Sequence, residues 1–309
     1  MLAKTEELTV EKIIKFMEER KYVTDESIAM AIYLALTLKK PLLIEGEAGC
    51  GKTEIAKILS DILDTELIRL QCYEGLDVNS AIYEWDYLRQ LLKIRLEESK
   101  KKPEEIESSI FSERFLLKRP LLKAVLKEDK EPVLLIDEID RADEEFEGFL
   151  LEFLAEFQVT IPEIGTLRAR KDPIVILTSN RTREIGDGIR RRCLYLYLTY
   201  PTLEKEVKIV RLKSPNINER LSLQICRFVK KLRESDEIIK KPGISETLDW
   251  ASSLTLLHKD SLDIETVQKT LSCLLKSSQD VKRFDYTRIK SILDEIEENE
   301  SKGEFNRFL

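Results

Sequence analysis

With 309 residues, 42% of them hydrophobic, the chain can bury the core of one large domain or two modest ones, and two are expected. Charged residues make up 35% with both signs interleaved, and the net charge of -7 offers no positive field to a phosphate backbone, which makes nucleic acid an unfavoured partner. The longest apolar stretch, Ile28 to Leu38, has 11 residues where a membrane span needs roughly 20, so it reads as a buried helix and no membrane span is expected.

The first residues run into an amphipathic helix without an apolar signal region, and a cytoplasmic protein is expected. Next come Leu42-Leu43-Ile44 and then Leu67 to Cys72, both read as strands, with apolar positions Ile55, Ile58, Leu59 and Ile62 between them at helical spacing. The polar stretch Ser99 to Glu113, centred on Lys100-Lys101-Lys102-Pro103, reads as an exposed insertion. Beyond it, Val133 to Ile136, Ile174 to Leu177 and Leu194 to Leu198 complete five strands. Three of the five follow a proline, which suits a strand edge. Apolar strands separated by such helices imply a mostly parallel sheet covered on both faces. From about Pro201 the strand signals stop and helical periodicity runs through Leu203 to Leu212, Ser222 to Leu232, Ser245 to Leu257 and Ile264 to Leu275. The expected layout is an α/β nucleotide-binding core over residues 1–200, an all-helical lid over 201–280, and a charged C-terminal helix and tail over 281–309. Five scattered cysteines lack any Cys-x-x-Cys pair and read as reduced thiols, and the single His258 reads as structural.

Chemistry concentrates in three places. Gly46-Glu47-Ala48-Gly49-Cys50-Gly51-Lys52-Thr53, with Glu54 behind it, follows a strand and opens a helix. Its glycines let backbone N–H groups converge on phosphate oxygens, Lys52 adds charge for the β- and γ-phosphates, and the Thr53 hydroxyl suits Mg²⁺. At Ile136-Asp137-Glu138 an apolar strand ends in two carboxylates, where Asp137 would act on Mg²⁺ and Glu138 would be the general base or orient the attacking water. Alone, the acids of Glu138 to Glu145 equally suit a helix start, whose dipole welcomes carboxylates. Thr178-Ser179-Asn180 ends the fourth strand, where ligands of open α/β sheets sit, and Asn180 could bridge water and γ-phosphate or simply cap a loop. Arg190-Arg191-Arg192 precedes the fifth strand. It suits a solvated face, or an arginine offered to a neighbouring subunit's phosphate, worth ~10³ to 10⁵ in rate.

The phosphate loop, the Asp137-Glu138 pair, Asn180 and the arginine cluster together resemble the AAA+ P-loop NTPases, specifically the MoxR type. Asp137 to Ala142, Thr178 to Glu184, Leu70 to Leu76 and Lys241 to Trp250 look most like the branch that accompanies carbon monoxide dehydrogenase maturation genes. The resemblance runs from about residue 20 to residue 278. It implies an ATP- and Mg²⁺-dependent ATPase of chaperone type, with Lys52 as phosphate lysine, Asp137 and Glu138 as metal-linked and catalytic acids, and Asn180 as first sensor. Arg192 best matches the trans-acting finger, with Arg190 and Arg191 as alternatives. It further implies a homohexameric ring, a von Willebrand factor A domain partner and a metalloenzyme client. Phe157 to Arg168 looks like the family's hairpin before the fourth strand. Where many AAA+ proteins carry a second-sensor arginine, this chain has Glu246-Thr247.

Overall fold

The computed structural model describes residues 8–98, 105 and 109–301; the polar segment expected to be an exposed insertion lies in large part outside the described residues, as does the end of the charged tail. Two compact units are formed. One comprises Glu26–Gly46 and Lys52–Tyr197 with the stretch up to Ile13, and the other comprises Ile14–Asp25, Glu47–Gly51 and the chain from Leu198 onward.

The first unit is built on β1 (Leu42–Gly46), β2 (Leu67–Gln71), β5 (Val133–Asp137), β8 (Ile174–Ser179) and β9 (Leu194–Leu198), in the spatial order β2-β5-β8-β1-β9. These are the five strands expected from the apolar runs. Short pairs β3 (Tyr83–Trp85) with β4 (Leu116–Lys118), and β6 (Gln158–Ile161) with β7 (Gly165–Arg168), stand apart from that sheet. The second pair is an antiparallel hairpin within the stretch Phe157 to Arg168.

Parallel pairing joins β1 to β8, β8 to β5 and β5 to β2. Every residue of β1 and β5 is buried, as a parallel sheet covered on both faces requires. Leu43, Leu134, Ile136, Val175 and Leu177 pack into one contiguous core with Phe146, Leu150 and Phe153 of the helix Glu144–Glu156. The register sets Glu45 beside Ser179, Ile136 beside Leu177 and Gln71 beside Asp137. The carboxyl ends of four strands therefore finish nearly level, and the polar residues that follow them share one edge.

Two expectations need correction. The helix Glu26–Leu38 buries only one face, through Ile28, Ala29, Ile32, Ala35 and Leu36, and leaves Met30, Leu34 and Leu38 exposed. An apolar run shows that a helix can be buried, but neighbours on one side only can bury one side only. The acids after Asp137 do not open a helix directly: a 3-10 turn spans Ile139–Arg141, and the helix starts at Glu144 with Asp143 as its cap, accepting the Phe146 N–H at 2.9 Å. No expectation covered the helix Tyr87–Glu97, which buries Gln90 and leaves Leu88, Leu91, Leu92 and Leu96 exposed.

The second unit is helical over Leu203–Lys213, Glu219–Glu234, Ile244–Leu256, Ile264–Thr270, Ser278–Arg283 and Tyr286–Ser301. Its core gathers Val210, Phe228, Trp250, Leu254 and Val267 with Ile289, Leu293 and Ile296 of the last helix. His258 has a positive φ just past the helix Ile244–Leu256 and closes it by donating its N–H to Thr255 O. Among the described residues no helix is long and apolar enough to cross a membrane.

Candidate nucleotide site

The loop after β1 turns through Gly46, Gly49 and Gly51, with φ of 153°, 74° and 95°, a region in which L side chains are strained. At Gly49 a side chain would also crowd the second unit's own backbone, meeting Gly243 Cα at 3.1 Å. Ile244 N donates to Gly49 O at 3.0 Å and fastens the loop to the start of the helix Ile244–Leu256. Lys52 opens the helix Lys52–Ile62, is buried, and curls its Nζ onto Gly46 O at 2.7 Å. The side chain thereby spans the loop from its last residue but one back to its first.

Thr53, one residue on, donates its hydroxyl to Asp137 Oδ1 at 3.1 Å, so the two residues expected to serve a metal touch each other. Asp137 is buried and also accepts from the Thr178 hydroxyl and from Arg69. Glu138 lies at φ 57°, ψ 49°, a left-handed conformation unusual for a residue with a side chain and costing on the order of 1 kcal/mol. Its N–H donates to Thr178 Oγ1 at 3.0 Å, which helps hold that turn. The turn aims its carboxylate at three partners: Asn180 Nδ2 at 3.3 Å, Gln71 Nε2 at 3.1 Å and Arg141 Nε at 2.9 Å. Asn180 in turn donates its N–H to Asp140 Oδ1 at 3.1 Å, and Thr182 donates both its N–H and its hydroxyl to Asp140 Oδ2.

Lys52, Thr53, Asp137, Glu138 and Asn180 therefore meet at the carboxyl ends of three adjacent strands, β5, β8 and β1. The acids leave an electrostatic mark on Cys72, whose thiol is pushed up to about 12 by burial and then by the charges of Asp137, Asp140 and Glu138. It stays a neutral thiol. Oxygen donors of the Thr53 and Asp137 kind suit a hard cation such as Mg²⁺. Among the described residues no cluster of three His, Cys, Asp or Glu could hold a metal unaided, so such an ion would draw its remaining ligands from phosphate and water.

The arginine cluster occupies the helix Asp187–Arg192 and its members diverge. Arg190 pairs with the buried Glu45 of β1 at 2.9 Å, and Tyr195 OH donates to the same carboxylate at 2.8 Å. Arg192 Nη1 donates to Leu151 O. Arg191 is 83% exposed and lies 3.9 Å from Asp187.

A family model described as ATPase family associated with various cellular activities (AAA) matches residues 42–198, just over half of the chain. The chain belongs to that family. The AAA protein is 24% identical to the gas vesicle ATPase GvpN of Haloferax mediterranei over 91% of its own length and 80% of that protein's. It is 27% identical to an uncharacterized protein of Staphylococcus aureus over 74% of its length and 80% of that one's. Among solved structures, a mutant of RuvB from Thermotoga maritima aligns at 16% identity and a TM-score of 0.48, covering 88% of this chain and 70% of that one. The fold is the AAA+ P-loop fold, a five-stranded sheet followed by a helical part.

Arg69, Gln71, Asp140, Arg141 and Thr178 belong to the site by contact but are not singled out as site residues by the motifs. A signal for two of them exists: Arg69 and Gln71 are polar at alternate positions of β2, whose burial alternates accordingly while β1 and β5 are buried throughout.

Proposed function

We propose that this AAA protein hydrolyses ATP with Mg²⁺. The observation that carries the proposal is the meeting of Lys52, Thr53, Asp137, Glu138 and Asn180 at adjoining strand ends. Lys52 and the loop Gly46 to Thr53, with Glu54 behind it, would hold the phosphates. A Mg²⁺ ion on Thr53 and Asp137 would neutralise charge on the β- and γ-phosphates. Glu138 would accept a proton from, or orient, the attacking water, and Asn180, already within 3.3 Å of it, would fix that water's second side. Glu138→Gln should lower turnover by about 10² to 10⁴ while nucleotide binding persists, and Lys52→Ala should abolish binding. Undiminished turnover in Glu138→Gln would sink this reading.

The same proposal extends to a homohexameric ring in which an arginine acts on the neighbour's nucleotide. Arg192 is the first candidate, and the exposure of Arg191 makes it the second; Arg190 is engaged by Glu45. Turnover that rises with protein concentration in the wild type, and is lost in Arg192→Ala or Arg191→Ala, supports the shared reaction. Independence from both concentration and arginine refutes it.

As a MoxR-type chaperone of the branch linked to carbon monoxide dehydrogenase maturation, a cytoplasmic protein of this kind would act with a von Willebrand factor A domain protein and assist metal-cofactor insertion into an enzyme. The support is the motif resemblance. Co-purification of the two candidates with Glu138→Gln in ATP is the test, and their absence from that complex counts against the role.

A second reading, a slowly hydrolysing nucleotide-dependent switch, draws on the tethering of Glu138 by Gln71 and Arg141. It also draws on the use of Glu246 to accept the Gly243 N–H at 2.9 Å while Thr247 is buried against Glu206. Partner capture that survives Glu138→Gln without stalling favours the switch. Nucleic acid remains the unfavoured partner, and salt-sensitive DNA binding would revive it.

A further inference from the structure

Asp137 takes charge from one side in an unusual way. Its Oδ1 accepts the neutral hydroxyls of Thr53, at 3.1 Å, and Thr178, whereas its Oδ2 faces Arg69 Nη2 at 2.5 Å with the Thr53 hydroxyl farther off at 3.4 Å. The two partners differ sharply in setting: the Asp137 side chain is 3% exposed and that of Arg69 is 52% exposed. A carboxylate this buried is unfavourable without a counter-charge. An arginine half in water can leave it at little cost to itself.

The position of Arg69 follows from strand geometry. Ile68 and Leu70 of β2 point into the core, and the alternation sends Arg69 and Gln71 to the other side, over the ends of β5. Arg69 Nη2 also donates to Gln71 Oε1, and Gln71 Nε2 donates to Glu138 Oε2 at 3.1 Å. One guanidinium thus touches the first acid and reaches the second through an amide.

We propose that Arg69 is the resident counter-ion of Asp137 in the ligand-free protein, and that its displacement into solvent by a divalent cation arriving with nucleotide sets the metal concentration at which the site loads. The inference rests on the reading of Asp137 as the metal-linked acid. Arg69 acts here as a positioning residue. Leaving Oδ2, it also gives up its bond to Gln71, so loading of the metal and release of Gln71 from Arg69 occur together.

The experiment uses the full chain with a saturating non-hydrolysable ATP analogue, and Mn²⁺ as the metal, followed by the loss of its free-ion paramagnetic resonance signal. Arg69→Met should bind Mn²⁺ about tenfold more tightly than wild type, the loss of one charge-assisted hydrogen bond converted to an equilibrium ratio. Arg69→Lys should lie near wild type. Affinity for a fluorescent form of the analogue in the absence of metal should be the same in all three. The rise in melting temperature on adding metal and analogue should be larger in Arg69→Met than in wild type, because only wild type must first give up an ion pair. Arg69→Gln serves in place of Arg69→Met should the latter fail to fold. Unchanged or weaker Mn²⁺ affinity in Arg69→Met overturns the proposal, as does a several-fold loss of metal-free analogue binding, which would make Arg69 a phosphate ligand. Wild type that takes up no Mn²⁺ with the analogue, and does not differ from Lys52→Ala, overturns the nucleotide reading itself.

Discussion

Arg233 and Glu206, in the helical unit, share two hydrogen bonds of 2.7 and 2.8 Å with side chains only 8% and 2% exposed, whereas Arg69 meets Asp137 through one nitrogen from a side chain that is 52% exposed. The first pair is surrounded. Arg233 Nε donates to Pro242 O at 2.7 Å, Thr247 bonds to both partners, and the guanidinium lies 4.4 Å from the Tyr200 ring centroid. A pair with its donors engaged in the interior stays made, because neither charge can return to water alone. The Arg69 pair is arranged so that one charge can. A guanidinium paired with a carboxylate thus gives a fixed joint in one place and an exchangeable contact in the other, and the difference lies in the burial of the arginine.

The comparison breaks most visibly at its buried end. Arg233→Met should destabilise the helical unit by about 3–5 kcal/mol by stranding Glu206. Urea unfolding followed by fluorescence of Trp250, which packs 5.4 Å from Phe228, reads it. Adding Glu206→Leu should recover most of that loss, since an apolar pair leaves no orphaned charge. A smaller loss, about 1–3 kcal/mol, is expected from Gly243→Ala. The added Cβ would meet Ala48 O at 2.8 Å and Gly49 Cα at 2.9 Å, both backbone atoms with little freedom to move. Thermal unfolding measures the loss, and nucleotide titration should show weakened binding because the phosphate loop must shift.

Asp140 offers an intermediate case, a buried carboxylate held by neutral donors instead of an arginine. Burial raises its pKa, but the Thr182 hydroxyl and the N–H groups of Thr182 and Asn180 outweigh it, and the net direction is down. A folded-state pKa below the unfolded value of about 3.9 contributes stability that is complete above that pH and is lost as pH falls through the folded value. Asp140→Asn should therefore cost about 1–2 kcal/mol at neutral pH, with the gap from wild type closing below about pH 4 in acid titrations of stability. An effect of similar size, about 1–2 kcal/mol by chemical unfolding, is expected from Arg69→Met in the ligand-free protein, because Asp137 loses its counter-charge but keeps the hydroxyls of Thr53 and Thr178. A loss as large as that of Arg233→Met would erase the distinction between the two pairs.

Much of this was legible in the residues themselves. Local rules set the five strands, because apolar runs such as Val133 to Ile136 can be satisfied only inside a covered sheet. They also set the glycine loop, because φ of 74° at Gly49 and 95° at Gly51 suits few other residues. The types and order of Lys52, Thr53, Asp137, Glu138 and Asn180 could be read for the same reason: phosphate and metal chemistry restricts which side chains serve. Tertiary structure alone decided which donors attend the acids. Arg69 and Gln71 are 68 and 67 residues away from Asp137 and Glu138 along the chain, and they arrive only because β2 pairs with β5 in that register. It also separated three consecutive arginines that look alike as text, giving Arg190 to Glu45 across 145 residues and leaving Arg191 in water. Sequence patterns report what a residue can do, whereas burial and pairing, which depend on distant segments, decide what it is free to do.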